Sequence, residues 1–167
     1  MATINSTQIQ KLVDKRASGA HAPLETLEQA GKVRYSFGSA TTPAVPNAAD
    51  EFVMLELPTN CRVVRMVFSW ASAMAGNNTP QVKITRDAYT SVAADGTQST
   101  VNASDFISNQ AVNGATGFVE GIGATNISVA GSLIDNATAP VAIRAICSAG
   151  ALTAGKSFTV SVWYVVE

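Results

Sequence analysis

The chain has 167 residues, of which only 14% are charged, and its formal net charge is −1. A chain of this length forms a single domain that buries roughly 70% of the surface exposed by the unfolded chain. The near-neutral charge excludes the basic field typical of nucleic-acid-binding proteins, and no uninterrupted apolar run reaches the ~20 residues of a membrane-spanning helix.

The first 31 residues differ from the rest of the chain because their apolar side chains follow a helical period. Two short helices fit this segment, the second of them starting near Pro23 and ending at Gly31. Helices this short are marginal alone. We therefore expect residues 1–31 to form a helical or extended arm that docks on the domain or on a neighbour. Its candidate partner-binding side chains are Ile9, Leu12, Val13, Leu24 and Leu27.

From Lys32 to the C-terminus the apolar residues recur with a period of two, which is typical of β-strands. The predicted strands are residues 32–37, 51–57, 61–71, 80–86, about 100–107, 117–121, 126–134, 140–147 and 156–166. Clusters of Gly, Asn, Asp and Pro separate them. Eight or nine short strands without a long helix predict an all-β domain over residues 32–167, an antiparallel β-sandwich or jelly roll.

The densest apolar stretch, DEFVMLELPTNCRVVRMVFSW at residues 50–70, is predicted to be two strands with a tight connection. Pro58 would break a helix at this point, and Pro-Thr-Asn is a typical turn sequence. In the second strand the alternation predicts one core-facing set, formed by Val64, Met66, Phe68 and Trp70.

The sequence contains no recognisable catalytic or metal-binding set. His21 is the only histidine, and the two cysteines, Cys61 and Cys147, are far apart in sequence and lie in strand-like contexts. We therefore expect no enzyme activity, no metal and no cofactor, and we expect two buried reduced thiols, with a disulfide as the alternative. Trp70 and Trp163 are expected in the core, with sugar stacking as the alternative.

Several carboxylates lie near predicted strand ends, where a role in turns is the simplest interpretation. They are Asp87, Asp95, Asp105, Glu120 and Asp135. Asp95-Gly96 in particular predicts a hairpin turn. A glycosidase would need two of these carboxylates to converge in a groove, which the sequence alone does not decide.

Four segments resemble tailed-bacteriophage virion structural proteins, in particular capsid decoration (cement) proteins. They are residues 31–37 (GKVRYSF), 50–53 (DEFV), 57–63 (LPTNCRV) and 154–166 (AGKSFTVSVWYVV). The resemblance covers roughly residues 31–72 and 140–166, and it implies a jelly-roll-like protein that binds and stabilises the major capsid protein lattice. It further implies a homo-oligomer, with a trimer favoured, on the capsid surface of a virion assembled in the host bacterial cytoplasm, with no nucleic acid and no membrane as partner.

A second interpretation is a tail or fibre adhesin module that binds a host-surface glycan or receptor. Virion β-sandwiches serve several such roles, and a shared fold does not decide between them. Exposed aromatic side chains such as Tyr89 would carry this alternative function.

Overall fold

The computed structural model describes residues 3–5, 33–71, 74, 80–112, 116–121 and 133–166. Within these ranges the chain forms twelve β-strands and no helix, so the all-β prediction is confirmed. The strands are β1 (Thr3–Asn5), β2 (Val33–Thr41), β3 (Glu51–Leu57), β4 (Cys61–Trp70), β5 (Gln81–Arg86), β6 (Tyr89–Val92), β7 (Gln98–Val101), β8 (Ser104–Ala111), β9 (Gly117–Glu120), β10 (Leu133–Ile134), β11 (Val141–Ala149) and β12 (Ser157–Val166).

The strands form two five-stranded sheets and one two-stranded hairpin. Sheet A has the order β1-β3-β11-β5-β8, and sheet B has the order β10-β4-β12-β2, with β9 also paired to β4. The short β1 pairs in parallel with β3. Every other strand pair in the described residues is antiparallel, as predicted.

The core lies between the two sheets and follows the predicted alternation in the C-terminal strands. On β11 the buried positions are Val141, Ile143, Ala145 and Cys147, and on β12 they are Phe158, Val160 and Val162. Phe52 of sheet A meets Phe158 of sheet B edge-to-face, with ring centroids 4.9 Å apart. The sheets also approach closely at Gly38, where a Cβ atom would lie 1.9 Å from the carbonyl oxygen of Met54. Only glycine is tolerated at this point on β2.

The two strands predicted around Pro58 are present, but they belong to different sheets, since β3 is in sheet A and β4 is in sheet B. Residues 58–60 therefore carry the chain across the core. The segment at residues 136–137 braces this connection: the N–H of Asn136 donates to Asn60 Oδ1 at 2.6 Å, and the N–H of Ala137 donates to the carbonyl oxygen of Thr59 at 3.1 Å.

The prediction of a single core-facing set on β4 is wrong at one position. Val64 is 40% exposed, and Arg65 beside it is also exposed. The buried residues are Cys61, Val63, Met66, Phe68 and Trp70. The register with β12 shifts between Trp163 and Tyr164, which leaves Val64 as an extra residue on β4. Such a β-bulge reverses which alternate positions face the core.

Residues 89–101 form a hairpin that the sequence predicted only in part. The turn at Asp95-Gly96 is confirmed: Gly96 has a φ of +84°, which favours glycine, and the N–H of Ala93 donates to the carbonyl oxygen of Thr97 at 2.8 Å. However, β6 and β7 were not predicted as separate strands. Each of these strands has only four residues, which are mostly polar and partly or fully exposed. The two segments therefore lack the apolar alternation that marks a strand.

Of the predicted arm, the structure describes only Thr3–Asn5, which extends the edge of sheet A. The partner-binding candidates Ile9, Leu12, Val13, Leu24 and Leu27 lie outside the described residues. His21 also lies outside them.

Candidate functional site

The two outer faces of the sandwich differ in chemistry, and the face of sheet A is charged. Arg144 lies between buried positions of β11 and therefore points outward. Its Nε donates to both carboxylate oxygens of Asp87 at 2.7 and 2.9 Å, and its Nη1 lies 3.4 Å from Glu51 Oε2. The hydrogen bond to Asp87 raises the pKa of Arg144 against the effect of burial. This network joins one cation to two carboxylates and suits contact with water.

The outer face of sheet B is apolar and aromatic. Of the six large hydrophobic side chains that are exposed in the described residues, five belong to strands of sheet B. Val33, Tyr35 and Phe37 alternate along the outer side of β2 and are 58%, 53% and 43% exposed. The register places Trp163 and Val165 of β12 opposite Tyr35 and Val33. We call these five residues the aromatic strip.

The rings of the aromatic strip contact one another and a cation. The ring centroids of Tyr35 and Trp163 are 4.9 Å apart, and those of Tyr35 and Phe37 are 5.9 Å apart. The guanidinium carbon of Arg65 lies 4.8 Å from the Trp163 ring centroid, and Arg65 is also paired with Glu120. Tyr, Trp and Arg are enriched at binding hot spots, so this grouping is typical of a contact surface.

Trp163 is therefore not a core residue, contrary to the prediction, whereas Trp70 is buried as predicted. The alternation that buries Phe158, Val160 and Val162 turns Trp163 outward. The last four residues of β12 are apolar on both faces, so composition alone did not separate the two sides.

Hydroxyl groups fill the other half of this face. Three hydrogen bonds join hydroxyl groups of β2 to hydroxyl groups of β12: Tyr35 with Ser161 at 3.1 Å, Ser39 with Thr159 at 2.9 Å, and Thr41 with Ser157 at 3.0 Å. Because these hydroxyls already bond to each other, covering the face leaves few polar groups unpaired. The surface can be desolvated at low cost.

A shallow depression of about 420 Å³ lies where the end of β4 meets the starts of β9 and β12. It is lined by Ser69, Trp70, Ala71, Thr116, Gly117, Phe118, Ser157, Phe158 and Thr159. None of these lining residues is ionisable at neutral pH. The depression can receive an apolar side chain, but its lining offers no acid or base.

Four of the five carboxylates singled out in the sequence have partners in the structure. Asp87 binds Arg144, Glu120 pairs with Arg65, and Asp105 Oδ1 lies 3.9 Å from Lys83 Nζ. Asp95 and Asp135 lie at turns. Asp95 Oδ1 accepts from the Thr97 N–H at 2.9 Å, and this hydrogen bond lowers the pKa of Asp95. The N–H of Asp135 donates to the Tyr89 hydroxyl at 3.2 Å.

Tyr89, the aromatic contact named for the adhesin alternative, is half-buried, and its ring centroid lies 5.0 Å from the guanidinium carbon of Arg86. In the part of the chain that the structure describes, no three His, Cys, Asp or Glu side chains lie close enough together to hold a metal ion. The same residues include no helix of the length and hydropathy needed to cross a membrane.

The fold is similar to that of a chain from a bacteriophage capsid. A chain from the capsid of Ralstonia phage GP4 superposes with a TM-score of 0.65 and 20% identity, over 99% of each chain. A chain from the capsid asymmetric unit of cyanophage Pam1 has a TM-score of 0.49 and 18% identity, over 89% of this chain and 96% of that one. No family model and no curated protein sequence matches the chain. The likeness to the GP4 chain concerns the fold, and it agrees with the resemblance to phage virion structural proteins.

Proposed function

We propose that the protein is a structural component of a phage virion, most specifically a capsid decoration protein that binds and stabilises the lattice of the major capsid protein. The aromatic strip is the observation that carries this proposal, and the full-length likeness to a chain of the GP4 capsid supports it. The role is one of contact and not of catalysis.

In this proposal the outer face of sheet B meets the capsid and the outer face of sheet A meets water. Apolar and aromatic side chains gain free energy when they are covered, about 25 cal/mol for each Å². The charged network around Arg144 would lose its hydration on contact and gain little in return. The chemistry of the two faces therefore gives the domain a defined orientation on the capsid surface.

Repetition over a symmetric lattice would supply the affinity that one face lacks. A homo-oligomer, with a trimer favoured, would present several aromatic strips at once, and such multivalency raises the overall affinity without new contacts. The buried, reduced cysteines fit assembly in the host bacterial cytoplasm, where thiols stay reduced.

The test is co-sedimentation of the purified protein with phage capsids that lack it. We expect the double variant Tyr35→Ser/Phe37→Ser to bind at least tenfold more weakly, since central aromatic residues at interfaces each contribute about 2 kcal/mol or more. Val45→Ser is the matched control, because Val45 is 78% exposed but lies in a loop outside sheet B. Capsid binding that is equally strong for wild type and the double variant contradicts the assignment of this face.

The exposed ring pair of Tyr35 and Trp163, next to a row of hydroxyls, also favours the adhesin alternative, in which a tail or fibre module binds a host glycan. Binding of the wild-type protein to host cells or to a glycan array, lost in Trp163→Ala, combined with no binding to capsids, would establish this role in place of decoration.

A further inference from the structure

Arg86 is a buried cation on the inner face of sheet A. Val82, Ile84 and Arg86 alternate along β5 and are 1%, 0% and 2% exposed. β5 is an inner strand, and Arg86 pairs with Ile143 of β11 on one side and with Ser104 of β8 on the other. Its side chain therefore enters the end of the core instead of reaching water from a sheet edge.

This guanidinium lacks a counterion among the described residues. Its Nε and Nη1 atoms are buried and have no hydrogen-bond partner. The adjacent carboxylate, Asp87, is occupied by Arg144. The ring of Tyr89 lies against Arg86, with 5.0 Å between the guanidinium carbon and the ring centroid. A ring face attracts a cation, but it does not provide the oxygen acceptors that guanidinium N–H groups require.

Burial alone does not remove the charge. Desolvation lowers the pKa of Arg86, and Tyr89 opposes this effect. An arginine nevertheless stays protonated in proteins because its ordinary pKa lies so far above neutrality. Buried charges are as a rule paired and hydrogen-bonded, because an unpaired one is strongly destabilising. Arg86 is thus a buried cation with unpaired hydrogen-bond donors. An anion with oxygen acceptors would satisfy both its charge and its donors.

We propose that Arg86 binds a small oxyanion, with inorganic phosphate as the simplest representative. The guanidinium group matches the oxygen spacing of phosphates and carboxylates, and hydrogen bonds between such charged partners are among the strongest in proteins. Tyr89 closes the site: it is half-buried, and its hydroxyl accepts from the N–H of Asp135 at 3.2 Å. A bound anion would hold the end of β5 against the start of β6.

The test is thermal unfolding in sodium phosphate, compared with sodium chloride of equal ionic strength. We expect the wild-type melting temperature to rise with phosphate and to reach saturation. At a phosphate concentration ten times Kd, the folding equilibrium constant increases about 11-fold. The variant Arg86→Met should be at least as stable as wild type in chloride, because it removes a buried unpaired charge, and should show no saturable response to phosphate. Equal responses of wild type and Arg86→Met to phosphate would overturn the proposal.

The side-chain Nε–Hε NMR signal of Arg86 provides a second readout that does not need the Met variant to fold. The signal is assigned by its loss in Arg86→Lys. On titration with phosphate it should shift in the wild-type protein and saturate at the same concentration as the melting temperature. A signal that stays in place throughout the titration would show that no anion binds this group.

Discussion

Cys147 lies on the inner face of β11, and its surroundings suppress its reactivity. Burial, with a smaller contribution from Asp50, raises the pKa of its thiol to about 12. The thiolate is the reactive form of cysteine, so native Cys147 is expected to be inert toward alkylating reagents near neutral pH. This environment agrees with the prediction of a buried thiol.

The raised pKa predicts an alkaline limit to stability. The pKa of the Cys147 thiol is near 9.0 in the unfolded chain and about 12 in the folded protein. The stabilisation is therefore fully present below pH 9 and is lost as the pH rises from 9 towards 12. Urea unfolding at several pH values should show a decline in the free energy of unfolding over this range. The decline should be smaller in Cys147→Ala, and identical pH profiles for the two proteins would contradict this origin.

At the residue scale, composition and strand context predicted the buried thiols, and the predicted period of two matches the buried positions of β11 and those from Phe158 to Val162 on β12. They did not predict the location of Trp163 or Arg86, and the physical reason is the same for both. Alternation tells which residues share a face, but a tryptophan facing outward and an arginine facing inward contradict the preferences from which the faces are assigned.

At the element scale, β3 and β4, the two strands joined by residues 58–60, each contain a β-bulge. On either side of the bulge, different alternate positions point into the core. On β4 the extra residue is Val64, and on β3 it is Met54, because Ile143 of β11 lies opposite Leu55 whereas Arg144 lies opposite Val53. Neither bulge carries a glycine or another residue that marks it in the sequence. The existence and bounds of β3 and β4 were therefore predictable, but the identity of their inner positions was not.

The facing of β4 at its bulge can be tested with two serine substitutions. Val63 is 2% exposed and Val64 is 40% exposed, although strict alternation from Met66 would place Val64 in the core. Val63→Ser should therefore lower the free energy of unfolding by about 2 kcal/mol or more, whereas Val64→Ser should lower it by less than about 1 kcal/mol. Denaturant unfolding of both variants gives the comparison. Equal losses, or a larger loss for Val64→Ser, would contradict the facing that the bulge imposes on β4.

At the scale of the whole molecule, the structure is a two-sheet domain with one charged and one apolar outer face. The fold class was predictable because short alternating strands separated by turn sequences have few other solutions. The contrast between the faces was not predictable, since it depends on which strands are neighbours. Val33, Tyr35 and Phe37 meet Trp163 and Val165 only because β2 pairs with β12, more than a hundred residues later in the chain.

Deletion of residues 1–31 tests the division into an arm and a domain. In the described residues the hydrophobic core cluster begins at Ala40 and draws on both sheets. We therefore expect the shortened chain to unfold cooperatively in calorimetry, at a somewhat lower temperature because β1 no longer covers the edge of β3. Capsid binding should be weakened, since the apolar stripe of this segment is a predicted partner contact in addition to the aromatic strip. Loss of the cooperative transition would instead make residues 1–31 part of the core.

The β6–β7 hairpin makes the domain a candidate scaffold for peptide display. All residues from Ala93 to Thr100 are exposed, while Ser91 anchors the base of the hairpin through its bridge to Ala137. A foreign epitope inserted after Gly96 would thus displace no core residue and would enter a tip of the kind that tolerates insertions. If the protein binds the capsid lattice as proposed, each particle would carry the epitope at many regularly spaced positions, which is the arrangement that vaccine design seeks.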